Sequence, residues 1–262
     1  MALIAVRSSI PYGNAPGSRS SCGRLEGRLG TLAVFSFGVG QTSRMPADPD
    51  AARSKSVWRA EDSVWLDHAV LDVRDLDWLR AARKVTFWAV KVPTGFFAQL
   101  PNLELLDVRG GSGADTAFVD GCSRLRFLII NQVRGLADLT SITRLPALEY
   151  LQLFGLPQVT SFPPFASLPL LERVDIGSMK GIHDLSGLLE APAKRELTLM
   201  KKVGVSIEDA RRLARHPTIE RFEWFAEDVP DRTWVPFVET VAKPEPDESW
   251  IDWIFARLAA AR

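Results

Sequence analysis

Apolar and polar residues alternate over short stretches of this chain, and the stretches recur at a nearly fixed interval. Leu106/Val108, Leu151/Leu153 and Val174/Ile176 each place two apolar side chains on one face of an extended segment and their neighbours on the other. Template starts at Leu103, Leu125, Leu148, Leu171, Lys194 and Ile219 are separated by 22, 23, 23, 23 and 25 residues, and Lys84-Val85-Thr86-Phe87 adds an earlier, seventh segment. A repeat of this length signals a solenoid, in which each unit buries its apolar edge only by stacking on its neighbours.

A second ladder runs in phase with the first. Asp75, Thr94, Asp115, Asp138, Ser161, Asp184 and Ser206 recur at intervals of 19 to 23 residues. Each can accept a hydrogen bond from the free amides at a helix start, so short helical or 3₁₀ segments are predicted after them, on the convex side. Leu100-Pro101, Leu145-Pro146 and Leu168-Pro169 precede the strands, where proline suits a corner because it has no amide hydrogen.

Leu148-Glu149-Tyr150-Leu151-Gln152-Leu153, followed by a variable turn and segments such as Asp138-Leu139-Thr140-Ser141-Ile142, resembles the leucine-rich repeat of the short, internalin-like class. The resemblance covers roughly 72–226. It implies an α/β solenoid with a concave parallel sheet, short helices or 3₁₀ turns on the convex side, caps at both ends and, as a rule, a protein ligand. The chain departs from that family where an asparagine ladder is expected: Gly111, Val133, Leu156, Met179 and Lys202 stand there instead.

The flanks break the period. Residues 1–56 are rich in Gly, Ser, Pro and Arg and are expected to be a flexible leader or a misassigned start, with Met45 as an alternative opening. The repeats and an N-terminal cap containing Ser63-Val64-Trp65-Leu66 are assigned to 57–226, and a C-terminal cap to 227–262. Trp250, Trp253, Ile254 and Leu258 lie on one face of a helix, expected to cover the last repeat.

Composition narrows the function. With 32 basic and 32 acidic residues the net charge is zero, so no field points to nucleic acid or to an anionic membrane. No apolar run reaches the length of a membrane-spanning helix. Thr31–Gly40 only faintly resembles a secretory signal, so the chain is expected to be cytoplasmic rather than secreted, and its Ala/Arg-rich text reads as bacterial. Cys22 and Cys122 suggest no disulfide framework, and Cys122 is expected to be a buried thiol.

No catalytic or metal constellation stands out. His68, His183 and His216 lack ligand spacing, Gly110-Gly111-Ser112-Gly113 has no following Gly-Lys-Ser/Thr, and no nucleophile elbow is present. The chain therefore reads as non-catalytic and cofactor-free: a scaffold-like module for a protein partner or, alternatively, a regulatory or targeting subunit of an enzyme such as a phosphatase.

The strand assignment names the solvent-facing columns of the concave sheet. The first is Lys84, Leu105, Phe127, Tyr150, Arg173, Glu196 and Arg221; the second is Thr86, Asp107, Ile129, Gln152, Asp175, Thr198 and Glu223; the third is Trp88, Arg109, Asn131, Phe154, Gly177, Met200 and Phe225. Their middle is apolar, with Leu105, Phe127, Ile129, Tyr150 and Phe154 adjacent and Asp107, Arg109, Gln152, Arg173 and Asp175 around them. Apolar anchors within a polar rim are the composition of a protein interface, so these ten residues are the expected partner site. On this reading Tyr150→Arg or Phe127→Asp abolishes partner capture and spares folding.

Overall fold

A computed structural model describes residues 51–260. The leader up to residue 50, Cys22, the signal-like stretch and the Met45 start lie outside the described residues. Residues 51–56, expected to belong to the leader, instead form a short turn against the first strands, with Ala52 buried and Lys55 Nζ donating to the His68 carbonyl.

The repeats build one nine-stranded sheet in sequence order. Its strands are β1 (Val57–Ala60), β2 (Ser63–Asp67), β3 (Lys84–Trp88), β4 (Leu105–Arg109), β5 (Phe127–Asn131), β6 (Tyr150–Phe154), β7 (Arg173–Met179), β8 (Glu196–Val203) and β9 (Arg221–Phe225). All pairs from β2 onward are parallel, and only β1 pairs antiparallel, with β2. The expected columns are in register: Lys84, Leu105, Phe127, Tyr150, Arg173, Glu196 and Arg221 stand side by side. The N-terminal cap extends those columns with Ser63, Trp65 and Asp67.

Convex connections are short, as the alternation of strand and capping signal requires. They hold 3₁₀ turns at Phe97–Gln99, Ala117–Val119, Thr140–Arg144 and Phe165–Ser167, and helices α1 (Leu76–Leu79), α2 (Ser186–Leu189) and α3 (Ile207–Arg215). Asp115, Asp138 and Asp184 each accept the amide two residues on, at 2.8–3.0 Å. Ser206 and Asp209 form a reciprocal capping box at the start of α3. In the first repeat the cap is Asp72, and Asp75 reciprocates by accepting the Asp72 amide at 2.8 Å.

A backbone device recurs one residue past the fifth strand position, directly after β2 to β6 and inside the longer β7 and β8. His68, Ala89, Gly110, Gln132, Gly155, Ser178 and Lys201 all have positive φ, between 44° and 68°. The amides of the first five donate to the carbonyl of the residue that ends the corresponding stretch of the next repeat, from Trp88 to Gly177, at 2.7–2.9 Å. The chain thus turns into the convex side through a left-handed residue, and Val133, Leu156 and Met179, which stand in place of the asparagine ladder, point into the core.

One column of that core carries a lysine. Leu103, Leu125, Leu148 and Leu171 are followed by Lys194, fully buried, with Nζ donating to the Leu188 carbonyl at 2.5 Å. Burial pulls its pKa down to about 7. Cys122 is buried as expected, and burial, followed by nearby Asp120, pushes its thiol up to about 12.

The final repeat is closed by α4 (Asp231–Val241), whose Phe237 packs on Phe222 and Trp224 at ring-centroid distances of 5.7 and 5.0 Å. The expected capping role therefore falls to α4. The terminal helix α5 (Trp250–Ala260) lies elsewhere, on the concave face.

Gly155 has φ +68°, and an added Cβ would meet Gln132 Cγ at 2.8 Å. Gly155→Ala is expected to cost about 1–2 kcal/mol in urea unfolding, whereas Ala89→Gly, at φ 50°, is expected to stabilise by up to about 1 kcal/mol. Lys194 makes a separate, pH-dependent contribution. Because its folded-state pKa is depressed, stability falls as pH drops from about 10.5 towards about 7 and levels off below. Lys194→Met is expected to raise stability by roughly 1–2 kcal/mol at pH 6 and to remove this slope, as read by urea unfolding across pH.

Candidate functional site

The apolar centre of the concave sheet is present where the sequence places it, and the chain itself covers it. Leu105, Phe127, Ile129 and Tyr150 form a buried cluster with Trp253, Ile254 and Leu258 of α5, and Trp250 packs at its edge. The expectation of a solvent-facing patch is corrected at these four residues. Asp107, Gln152, Arg173 and Asp175 are buried as well, while Arg109 and Phe154 stay partly accessible. Tyr150→Arg and Phe127→Asp are consequently substitutions in a packed interior and would not spare folding.

The covering segment runs back across the sheet from β9. The Phe222 amide donates to the Pro244 carbonyl at 2.9 Å, Arg221 Nη1 to the Glu245 carbonyl at 2.9 Å and Arg173 Nη1 to the Glu248 carbonyl at 3.1 Å. Ser249 then caps α5, its hydroxyl accepting the Asp252 amide at 3.2 Å. Along the helix, Trp250 stacks on Tyr150 with centroids 6.2 Å apart, and Trp253 meets Phe127 edge-on at 6.3 Å. Its outer face leaves Ile251 and Phe255 exposed at 44% and 52%.

Beneath the helix lies a polar floor whose groups pair largely with one another. The Tyr150 hydroxyl donates to Asp175 Oδ2 at 2.8 Å, Arg173 sits 3.4 Å from Asp175 and 3.2 Å from Glu196, and Arg109 pairs with Asp107 at 2.8 Å. Burial pushes the Asp175 and Asp107 carboxyls above their ordinary values, against the opposing pull of Arg173 and Arg109. Desolvation, and then the charge of Asp175, holds the Tyr150 hydroxyl protonated and donating.

A further column was missed by the alternation argument because it precedes each strand by one residue. Asp62, Arg83, Glu104, Arg126, Glu149, Glu172, Arg195 and Glu220 alternate in sign at every step except from Glu149 to Glu172. Neighbours pair along it: Arg83 to Glu104 at 2.8 Å, Arg126 to Glu104 at 3.2 Å and to Glu149 at 2.6 Å, and Arg195 to Glu220 at 3.6 Å. At the fault α5 supplies the missing cation. Arg257 lies 3.6 Å from Glu149 and 2.6 Å from Glu172, with its guanidinium 3.6 Å above the Trp253 ring. The signal was legible in principle as a broken alternation of charge at the repeat period, with an arginine four residues after a tryptophan.

The other candidate chemistry is structural. His216 Nε2 lies 2.8 Å from the Leu189 carbonyl and its Nδ1 faces the Thr218 amide at 3.4 Å, an arrangement for a neutral ring; burial lowers its pKa accordingly. In the glycine-rich turn the Gly110 and Gly113 amides donate to the next repeat, at 2.8 and 3.1 Å. Among the described residues, no group of three or more His, Cys, Asp or Glu side chains is placed to hold a metal ion, and no helix is long and apolar enough to cross a membrane. Compared with known proteins, the chain matches no family model and no curated sequence.

Glu223 on β9 gives the covering segment a pH dependence. Burial, and then the nearby Glu245 and Asp175, push its pKa up to about 7, with Arg173 opposing. The folded state holds a proton that the unfolded chain releases near pH 4.5, so stability declines as pH rises from about 4.5 to about 7. Glu223→Gln is expected to gain roughly 1–2 kcal/mol at pH 8 and to show no gain at pH 4 in thermal or urea unfolding.

Proposed function

We propose that this chain is a non-catalytic protein-binding module of the leucine-rich-repeat type, engaging a protein partner on the concave face of its sheet. The observation that carries the reading is the composition of that face. Leu105, Phe127, Ile129 and Tyr150 concentrate apolar and aromatic surface at the centre of the first two columns, whose other members from β3 to β9 are polar, where the solenoid's own core does not need them. Such a cluster on a sheet face serves to hold a polypeptide, and α5 illustrates the kind of segment it accommodates. Beside α5, the third column leaves Trp88 and Phe225 exposed at 41% and 39%, with Arg109, Asn131 and Phe154 partly open between them. This strip offers aromatic anchors within a mixed polar surround.

A photo-crosslinking side chain at Phe225 is expected to trap a defined protein in cells, while the same group at Ile207, exposed on the convex side, traps none. Trp88→Asp is expected to reduce the concave crosslink at least tenfold without shifting the melting temperature by more than about 2 °C, since exposed substitutions are nearly neutral. Crosslinking confined to the convex position would overturn the assignment of the face.

A further inference from the structure

The groove under α5 has a chemistry that can be read from its resident. We propose that it is a receptor for an amphipathic helix of a partner protein carrying two aromatics at i and i+3, an aliphatic at i+4 and an arginine at i+7, and that α5 is a displaceable competitor for that site. This inference rests on the concave-face reading and names the partner's chemistry.

Four observations support it. The cluster that α5 makes with the sheet is separate from the main core, which runs through the repeats and ends on α4. Removing α5 therefore opens a groove on a solenoid whose own interior stays closed. The polar floor is paired largely within the sheet through Tyr150–Asp175, Arg173–Glu196 and Arg109–Asp107, and Arg173 alone of these also reaches the segment before α5, at the Glu248 carbonyl, so the open groove leaves few charges to rearrange. The segment joining α4 to α5 has no regular structure between Val241 and Trp250 and is held to β7 and β9 through the carbonyls of Pro244, Glu245 and Glu248, so α5 can leave the groove while its tether stays on the sheet. Finally, the Glu149/Glu172 fault makes the site selective. Arg126 of the sheet pairs with Glu149 at 2.6 Å, whereas Glu172 is met at 2.6 Å by Arg257 of α5, so a helix that brings a cation to that position is favoured over one that does not.

Competition in cis sets the size of the effect. The short connection from α4 presents α5 at an effective concentration on the order of millimolar, so where resident and ligand share a micromolar intrinsic affinity the ligand is weakened about a thousandfold. Loosening α5 should restore that affinity without altering the groove.

The test uses the full chain and a labelled synthetic peptide spanning residues 247–262, followed by fluorescence anisotropy. Wild-type chain is expected to bind it weakly, and chain carrying Trp253→Ala at least tenfold more tightly. Peptide carrying Arg257→Glu is expected to lose binding at least tenfold, and to regain it when the Trp253→Ala chain also carries Glu172→Lys. Chain with Arg257→Glu serves as a second release variant, since it leaves the aromatic contacts in place. Folded release variants that ignore the peptide, or that bind its Arg257→Glu form equally well, would overturn the proposal. So would cooperative unfolding of both release variants, which would make α5 part of the essential core. Uptake blocked by dimer formation would assign the groove to a second copy instead. A concave crosslink at Phe225 that the peptide fails to compete would leave the binding-module reading standing and reject this one.

Discussion

Parallel strands in this molecule can pair only if every repeat re-enters the sheet at the same height, and that constraint is met at the two ends of each strand. At the entry, the carbonyls of Asp62, Arg83, Glu104, Arg126, Glu149, Glu172 and Arg195 each accept two consecutive amides of the next repeat. At the exits of β2 to β6, a left-handed residue turns the backbone into the convex side while its amide reaches across to the neighbouring repeat. Side chains have little say in either contact. This explains how residues as different as His68, Gln132 and Lys201 share one conformation, and why the chain tolerates apolar side chains where a buried amide ladder would otherwise organise the turn.

Fixed height converts sequence spacing into straight columns, and a column multiplies whatever chemistry it carries. In the core it stacks leucine on leucine until Lys194 interrupts it. On the concave face it gathers Leu105, Phe127 and Tyr150 into one apolar centre, and at the strand entries it sets charges in an alternating row. Neither the apolar centre nor the break in the row can be buried by the solenoid itself, because stacking satisfies only the inward-facing side. Both are met by the same helix, which presents its tryptophans to one and its arginine to the other.

The strand positions, their register and the caps at Asp115, Asp138, Asp184 and Ser206 were legible in the sequence because each rests on a period that a local pattern carries, whereas the 3₁₀ turns after Thr94 and Ser161 start without a side-chain cap. Ser63–Leu66 was readable as a cap for the same reason, although the antiparallel β1 before it was not: Val57-Trp58-Arg59-Ala60 has no alternating burial to betray a strand. The helical face of Trp250, Trp253, Ile254 and Leu258 was also readable. Its destination was not, since an apolar stripe fits any apolar surface and both the last repeat and the concave centre qualified. What decides between them is the pairing of Arg257 with Glu149 and Glu172, contacts 108 and 85 residues distant that no local window contains.

A repeat surface is nearly periodic, so a helix laid across it faces a series of similar seats about 4.8 Å apart, one per strand. Apolar contact alone would fix it only to within the breadth of the apolar centre, from β4 to β6. The single step at which the charge row fails to alternate exists only between β6 and β7, and it singles out one seat within the reach of that apolar centre. An imperfection in the repeat thereby acts as a ruler, fixing the position along the solenoid at which a helix comes to rest.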